Sequence, residues 1–87
     1  MDVDHPARIV CTARAVLDGG GESGNMLLAA IERCLADLAP GQTLEVCSQH
    51  PDAVTDIPLW CRASGHWICH VTTEGEERRL WIVKGAV

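Results

Sequence analysis

The stretch Ala15-Val16-Leu17-Asp18-Gly19-Gly20-Gly21-Glu22-Ser23-Gly24-Asn25-Met26-Leu27-Leu28, running on to Leu38, decides the fold. It passes from a strand-like run, through a glycine break, into a helical stripe. Ile9 to Leu17 is rich in β-branched and small residues and predicts a first strand. Gly19-Gly20-Gly21 ends it. From Met26 to Leu38, apolar residues fall at 27, 28, 31, 34, 35 and 38, the spacing of one helix face. Glu32, Arg33 and Asp37 fall on the opposite face.

Reading outward, the same punctuation continues. Pro40-Gly41 stops the helix. Thr43 to Ser48 alternates, with Leu44 and Val46 on one side and Glu45 and Cys47 on the other. Pro51 suits the first turn of a second helix, and Asp52 suits its N-terminal dipole. Pro58 lies inside that segment and predicts a kink or a late start. Gly65 suits the position just past its end. Trp67 to Thr73 and Arg79 to Val83 alternate and are joined by Glu74-Gly75-Glu76-Glu77, a hairpin signal. The order βαβαββ predicts a two-layer α/β sandwich (α+β), a four-stranded mixed sheet with two helices on one face. The inward set is expected to be Leu17, Leu28, Ile31, Leu35, Leu38, Leu44, Val46, Ile57, Val71, Leu80 and Ile82.

Composition bounds the function. Eighty-seven residues make one domain, read here as a tail over 1–8 and a single domain over 9–87. A hydrophobic content of 47% fits a folded chain. The net charge of −5 lacks the basic footprint of a nucleic-acid binder. No apolar run reaches the length of a membrane span. The acidic start Met1-Asp2-Val3-Asp4 is unlike a secretory or transit peptide, so a cytoplasmic protein is expected. The five cysteines (11, 34, 47, 61, 69) are odd in number and contain no Cys-x-x-Cys pair. They read as reduced thiols packed as small hydrophobes.

Other constellations carry less. Gly19-Gly20-Gly21-Glu22-Ser23-Gly24 has the form G-x-G-x-x-G. The chain is too short for a doubly wound sheet, and Glu22 would repel a pyrophosphate, so a turn feeding a helix is the better reading. His66 and His70 share strand parity and Cys69 opposes them, so no three-ligand metal site is expected, and no cofactor. The imidazole of His66 is expected to bond the last carbonyls of the second helix. Away from the helices should face Arg14, Val16, Cys47, Ile68, His70, Trp81 and Val83. Of these, Ile68, His70, Trp81 and Val83 form a candidate partner patch.

From Leu17 to Lys84 the sequence resembles the TusA (SirA) family of small sulfur carriers. The resemblance rests on Leu17-Asp18 with Gly21, Pro40-Gly41-Gln42-Thr43-Leu44, and Pro51. It continues through Asp56-Ile57-Pro58-Leu59-Trp60-Cys61, Gly65-His66, Ile82 and Lys84, in order and without gaps. It implies a domain that accepts persulfide sulfur from a cysteine desulfurase and passes it on. The family's working residue is a cysteine opening the first helix, in Cys-Pro-x-Pro. There the helix N-terminus lowers the thiol pKa. Here the matching stretch is Gly24-Asn25-Met26-Leu27, and glycine has no atom that can hold sulfur. No catalytic residue is therefore assigned. The expectation is a homologue that binds a sulfur-transfer partner, such as a desulfurase or rhodanese-type protein, or a second copy of itself. One alternative is a carrier that uses Cys61, read otherwise as a packed residue beside Trp60, or Cys47, whose parity exposes it on the open side of the sheet. Cys11, Cys34 and Cys69 read as inward and inert. Another alternative is a small-ligand or anion site at Gly21, Ser23, Gly24 and Asn25.

Overall fold

The computed structural model describes residues 12–22 and 24–86; Ser23 and the predicted strand residues 9–11, with Cys11, lie outside them. Six elements follow in chain order: β1 (Ala13–Asp18), α1 (Gly24–Ala36), β2 (Thr43–Ser48), α2 (Ala53–Ser64), β3 (Trp67–Glu74) and β4 (Glu77–Val83). The strands form one sheet in the order β1-β2-β4-β3. β1 runs parallel to β2, and β4 is antiparallel to both its neighbours. This is the expected two-layer arrangement with a mixed four-stranded sheet. No described helix is long and apolar enough to cross a membrane.

The core forms where the two periodicities meet. Leu27, Ile31 and Leu35 recur every four residues on α1, and Ala53, Ile57 and Cys61 do so on α2. These rows rest on Leu44, Val46, Leu80 and Ile82, which are fully buried. Leu17, Leu28 and Leu38 pack at the margin. Val71 departs from the expectation. It pairs with Leu80 in the edge strand, lies outside the core cluster, and is 40% exposed.

Pro58 does not end or delay α2, which runs unbroken across it. It removes one helical hydrogen bond, a loss that the burial of Ile57 and Cys61 on either side offsets. Gly65 adopts φ +87° just past the helix and returns its N–H to the Cys61 carbonyl. At the end of α1, the Leu38 carbonyl accepts the Lys84 Nζ at 2.6 Å. That bond ties the last residues of the chain to the first helix.

The hairpin contains the principal correction. Trp67 pairs with Val83 and Ile68 with Ile82, but His70 pairs with Trp81. Cys69 is the extra residue of a β-bulge, and the alternation resets across it. Ile68 therefore packs against the core rather than the open face. Trp67 takes the outward place and is 53% exposed. The same reset separates His66 from His70. His66 lies against Trp60 of α2, with ring centroids 5.6 Å apart, and His70 against Trp81 on the outer face at 5.3 Å.

Candidate functional site: the glycine-rich start of α1

The β1–α1 loop is strapped to the end of β2. Gly19 donates its N–H to the Cys47 carbonyl at 2.7 Å, and the Gly20 carbonyl accepts the Gln49 N–H at 2.7 Å. Asp18 Oδ1 accepts the Gly20 N–H at 3.1 Å. A Cβ at Gly19 would stand 2.7 Å from Leu27 Cδ1 and 3.2 Å from the Cys47 carbonyl oxygen, so a side chain there would have to displace the buried Leu27. The loop opens α1 at Gly24, whose φ is +59°. L-residues enter that region at a cost of roughly 1–2 kcal/mol. The space around Gly24 is open, with nothing within 4 Å of where its Cβ would be. An open groove of about 610 Å³ runs beside the loop, with Asp18, Glu22 and Arg33 among its lining residues. Met26 lines it and is largely exposed.

The loop thus presents an accessible helix start with no nucleophile at its first residue. Gly21 and Asn25 are exposed beside it. The thiols lie elsewhere. Cys61 is 1% exposed within the core, and burial pushes its pKa up to about 12. Cys34 is half-buried and packs against the same core.

Cys47 requires a correction. Its side chain does oppose Leu44 and Val46, as the alternation implies, but it is only 8% exposed. β2 is an interior strand, with β1 and β4 on either side, and Arg79 lies directly across from Cys47 on β4. Arg79 forms an ion pair with Glu45 and another with Glu77, the latter at 2.9 Å. The Cys47 Sγ sits 3.9 Å from Glu45 Oε2. Burial raises the Cys47 pKa. Arg79 opposes that rise, and Glu45, Glu77 and Asp18 add to it. The sequence reading missed this charge cluster. Its signal was the alternation that puts Glu45 beside Cys47, but finding Arg79 opposite required the register.

Two further expectations change. The His66 imidazole does not bond helix carbonyls; its Nδ1 accepts the Gly85 N–H at 2.9 Å, and its backbone N–H reaches Cys61. Cys69 is disulfide-bonded, so the expectation of reduced thiols fails there. As the bulge residue it stands outside the ladder alternation that would have turned it inward.

Residues 16–84 match the family described as Sulfurtransferase TusA. The chain belongs to the TusA family. Among its relatives is the sulfur carrier protein TusA of Pseudomonas paraeruginosa (strain DSM 24068 / PA7), 32% identical over 83% of this chain and 91% of that protein. The TusA of Pseudomonas aeruginosa (strain LESB58) matches with the same identity and coverage. YrkF of Bacillus subtilis (strain 168), provisionally described as a sulfur carrier, is 29% identical over 84% of this chain. The chain spans only 40% of the length of YrkF. The TusA match begins in β1 and ends just after β4, so it takes in every element of the sandwich and the loop that opens α1.

Proposed function

We propose that this chain is a TusA-family domain that binds a sulfur-transfer partner without itself carrying sulfur. The observation that carries this reading is Gly24. It stands where the family motif has its cysteine, at an exposed helix start, with a backbone suited to glycine. The fold and the access around that position remain, so a partner that docks at the helix start of a carrier still meets a complete surface. The partner is a persulfide-handling protein of the cysteine desulfurase or rhodanese type.

The thiols support this reading. A carrier needs an accessible thiolate. Cys61 is enclosed by apolar side chains with a strongly raised pKa, and Cys47 is buried under an ion-pair cluster with its pKa also raised. An anion at the loop is disfavoured because Asp18 and Glu22 outnumber Arg33 among the charged residues lining the groove.

The test is intact-protein mass spectrometry after incubation with a cysteine desulfurase and cysteine. The desulfurase converts cysteine to alanine and offers the sulfur as an enzyme persulfide. The expected result is no sulfur adduct on this chain and a reducible one on the Gly24→Cys/Asn25→Pro variant. Proline at 25 disfavours a helical backbone at residue 24 and draws it toward the extended region, where cysteine is comfortable. A reducible adduct on the unaltered chain overturns the proposal, and peptide mapping then identifies the thiol.

A further inference from the structure

Past β4 the chain is fastened near the C-terminal ends of both helices. Val83 closes the ladder, paired with Thr43 and Trp67. Lys84 then bonds to the α1–β2 turn: its N–H donates to the Gln42 carbonyl, its carbonyl accepts the Gly41 N–H, and its Nζ reaches the Leu38 carbonyl. Gly85 turns to the other helix. Its N–H donates to His66 Nδ1 at 2.9 Å, just past the end of α2. Gly85 is buried, and a Cβ there would overlap the Gly65 carbonyl oxygen, so this seat admits bare backbone only. The His66 ring in turn lies against Trp60.

We propose that Gly85 and Ala86 form a clasp that His66 holds while neutral and releases when protonated. A neutral imidazole has one donor and one acceptor, and here Nδ1 is the acceptor. An imidazolium has two donors and no acceptor. A proton on Nδ1 therefore sets two N–H groups against each other, and turning the ring over only presents the second donor. The surrounding groups do not offset this. Lys84 after β4 and Arg62 on α2 line the same grooves as His66 and oppose another positive charge, while Glu32 on α1 favours it. The Cys61 thiol, which shares a groove with His66, is neutral, with its pKa near 12. Burial and Lys84 together lower the His66 pKa while the clasp is closed. Once open, the ring regains the ordinary value near pH 6.5. The proton thus favours the open form. Each pH unit below about 6.5 raises the ratio of open to closed toward tenfold, until the closed ring itself titrates. Opening is local, because the bonds of Lys84 come before it and do not involve His66. This inference stands apart from the sulfur reading, since it requires no change at Gly24 or at any thiol.

The experiment is hydrogen-exchange NMR on the full chain, from about pH 7.5 to about pH 5, across the ordinary histidine value. It reads the protection of the Gly85 amide relative to its intrinsic rate at each pH. The expected result is a loss of protection that approaches tenfold and follows the titration of the His66 ring resonances. Ile82 and Lys84 should keep theirs. In His66→Gln the side-chain carbonyl can accept the Gly85 N–H at every pH, so protection should persist on acidification. Gly85→Ala closes the seat to the chain, so the residue should be unprotected even at neutral pH, and His66 should titrate higher, near its ordinary value. Far-UV circular dichroism checks that both variants keep the fold. A histidine that only supports the fold would make stability depend on pH without singling out Gly85. Protection at Gly85 that survives the titration of His66 overturns the inference, since the ring then swings away and leaves the chain seated. So does a loss on acidification that His66→Gln retains.

Discussion

On the helix side of the sheet, Ala15, Leu44, Ile82 and Ile68 make one row and Leu17, Val46, Leu80 and Val71 the next. On the other side the same strands line up Val16, Glu45, Trp81 and His70. The inner rows are all apolar, and the two central strands in them are fully buried. The outer row mixes valine, carboxylate, indole and imidazole. A one-residue slip of any strand would exchange the two faces. The inner face forbids that slip, because it would put Glu45 or Trp81 under the helices. The outer face imposes no such demand, and its composition reflects the freedom. The bulge shows how firmly the inner face governs: β3 gives up a regular ladder at Cys69, and Ile68 reaches the core.

The sharpest way to break this comparison is to truncate one residue on each face of β4. Leu80→Ala should cost about 2–5 kcal/mol in urea unfolding, the usual range for an enclosed leucine. Trp81→Ala beside it should cost less. Equal losses would mean that the outer face contributes as much to the fold as the inner one. The bulge can be tested next. Ile68→Lys should destabilise by about 2 kcal/mol or more, since it buries an unpaired charge, while Trp67→Lys should stay within roughly 0.5 kcal/mol. The reverse order would move the bulge to another position. At the helix start, Gly24→Ala should cost about 1 kcal/mol through its positive φ. Gly21→Ala, with open space and no such φ, should cost less.

Thiol chemistry sharpens the contrast with no substitution at all. Native-state alkylation at neutral pH should leave Cys47 and Cys61 unlabelled long after the urea-unfolded chain has reacted fully. Raising the pH should label Cys47 on the outer face before Cys61 on the inner one, where the pKa stands near 12. Fast labelling of Cys61 in the folded protein would contradict its burial. The smallest effect belongs to His66. Burial first, and then Lys84, lower its pKa below the ordinary histidine value. The unfolded chain therefore binds this proton more readily than the folded one. Stability from this group is present above about pH 6.5 and falls away as the pH drops below that value toward the folded pKa. His66→Gln should flatten that part of the stability–pH curve.

Much of this architecture was legible in the chain. The stripe from Leu27 to Leu35, the alternation of Thr43 to Ser48 and the turn at Gly75 each carry a local rule, and the structure follows them closely. Met26 to Leu38 foresaw α1 to within two residues at either end. The errors have a common cause in register. Nothing local to Trp67-Ile68-Cys69-His70 announces a bulge, which exists because Ile82 across the strand pair holds Ile68 to the core. The seclusion of Cys47 is likewise a property of its neighbours, since strand order puts β2 in the interior and brings Arg79 opposite. The proposed site was legible as glycine at the first residue of α1, where the resemblance led one to expect a cysteine. Its backbone conformation was not, because a glycine in a polar loop is compatible with many.

Gly24 at φ +59° also bears on how readily a thiol could arise at this position. A single change to cysteine would place a thiol in open space, but in a backbone that cysteine resists. Asn25→Pro alone would press against that same backbone with no thiol in place to benefit. Each step is unfavourable before the other is taken. For a lineage carrying this loop, gaining a thiol here is a descent followed by a climb.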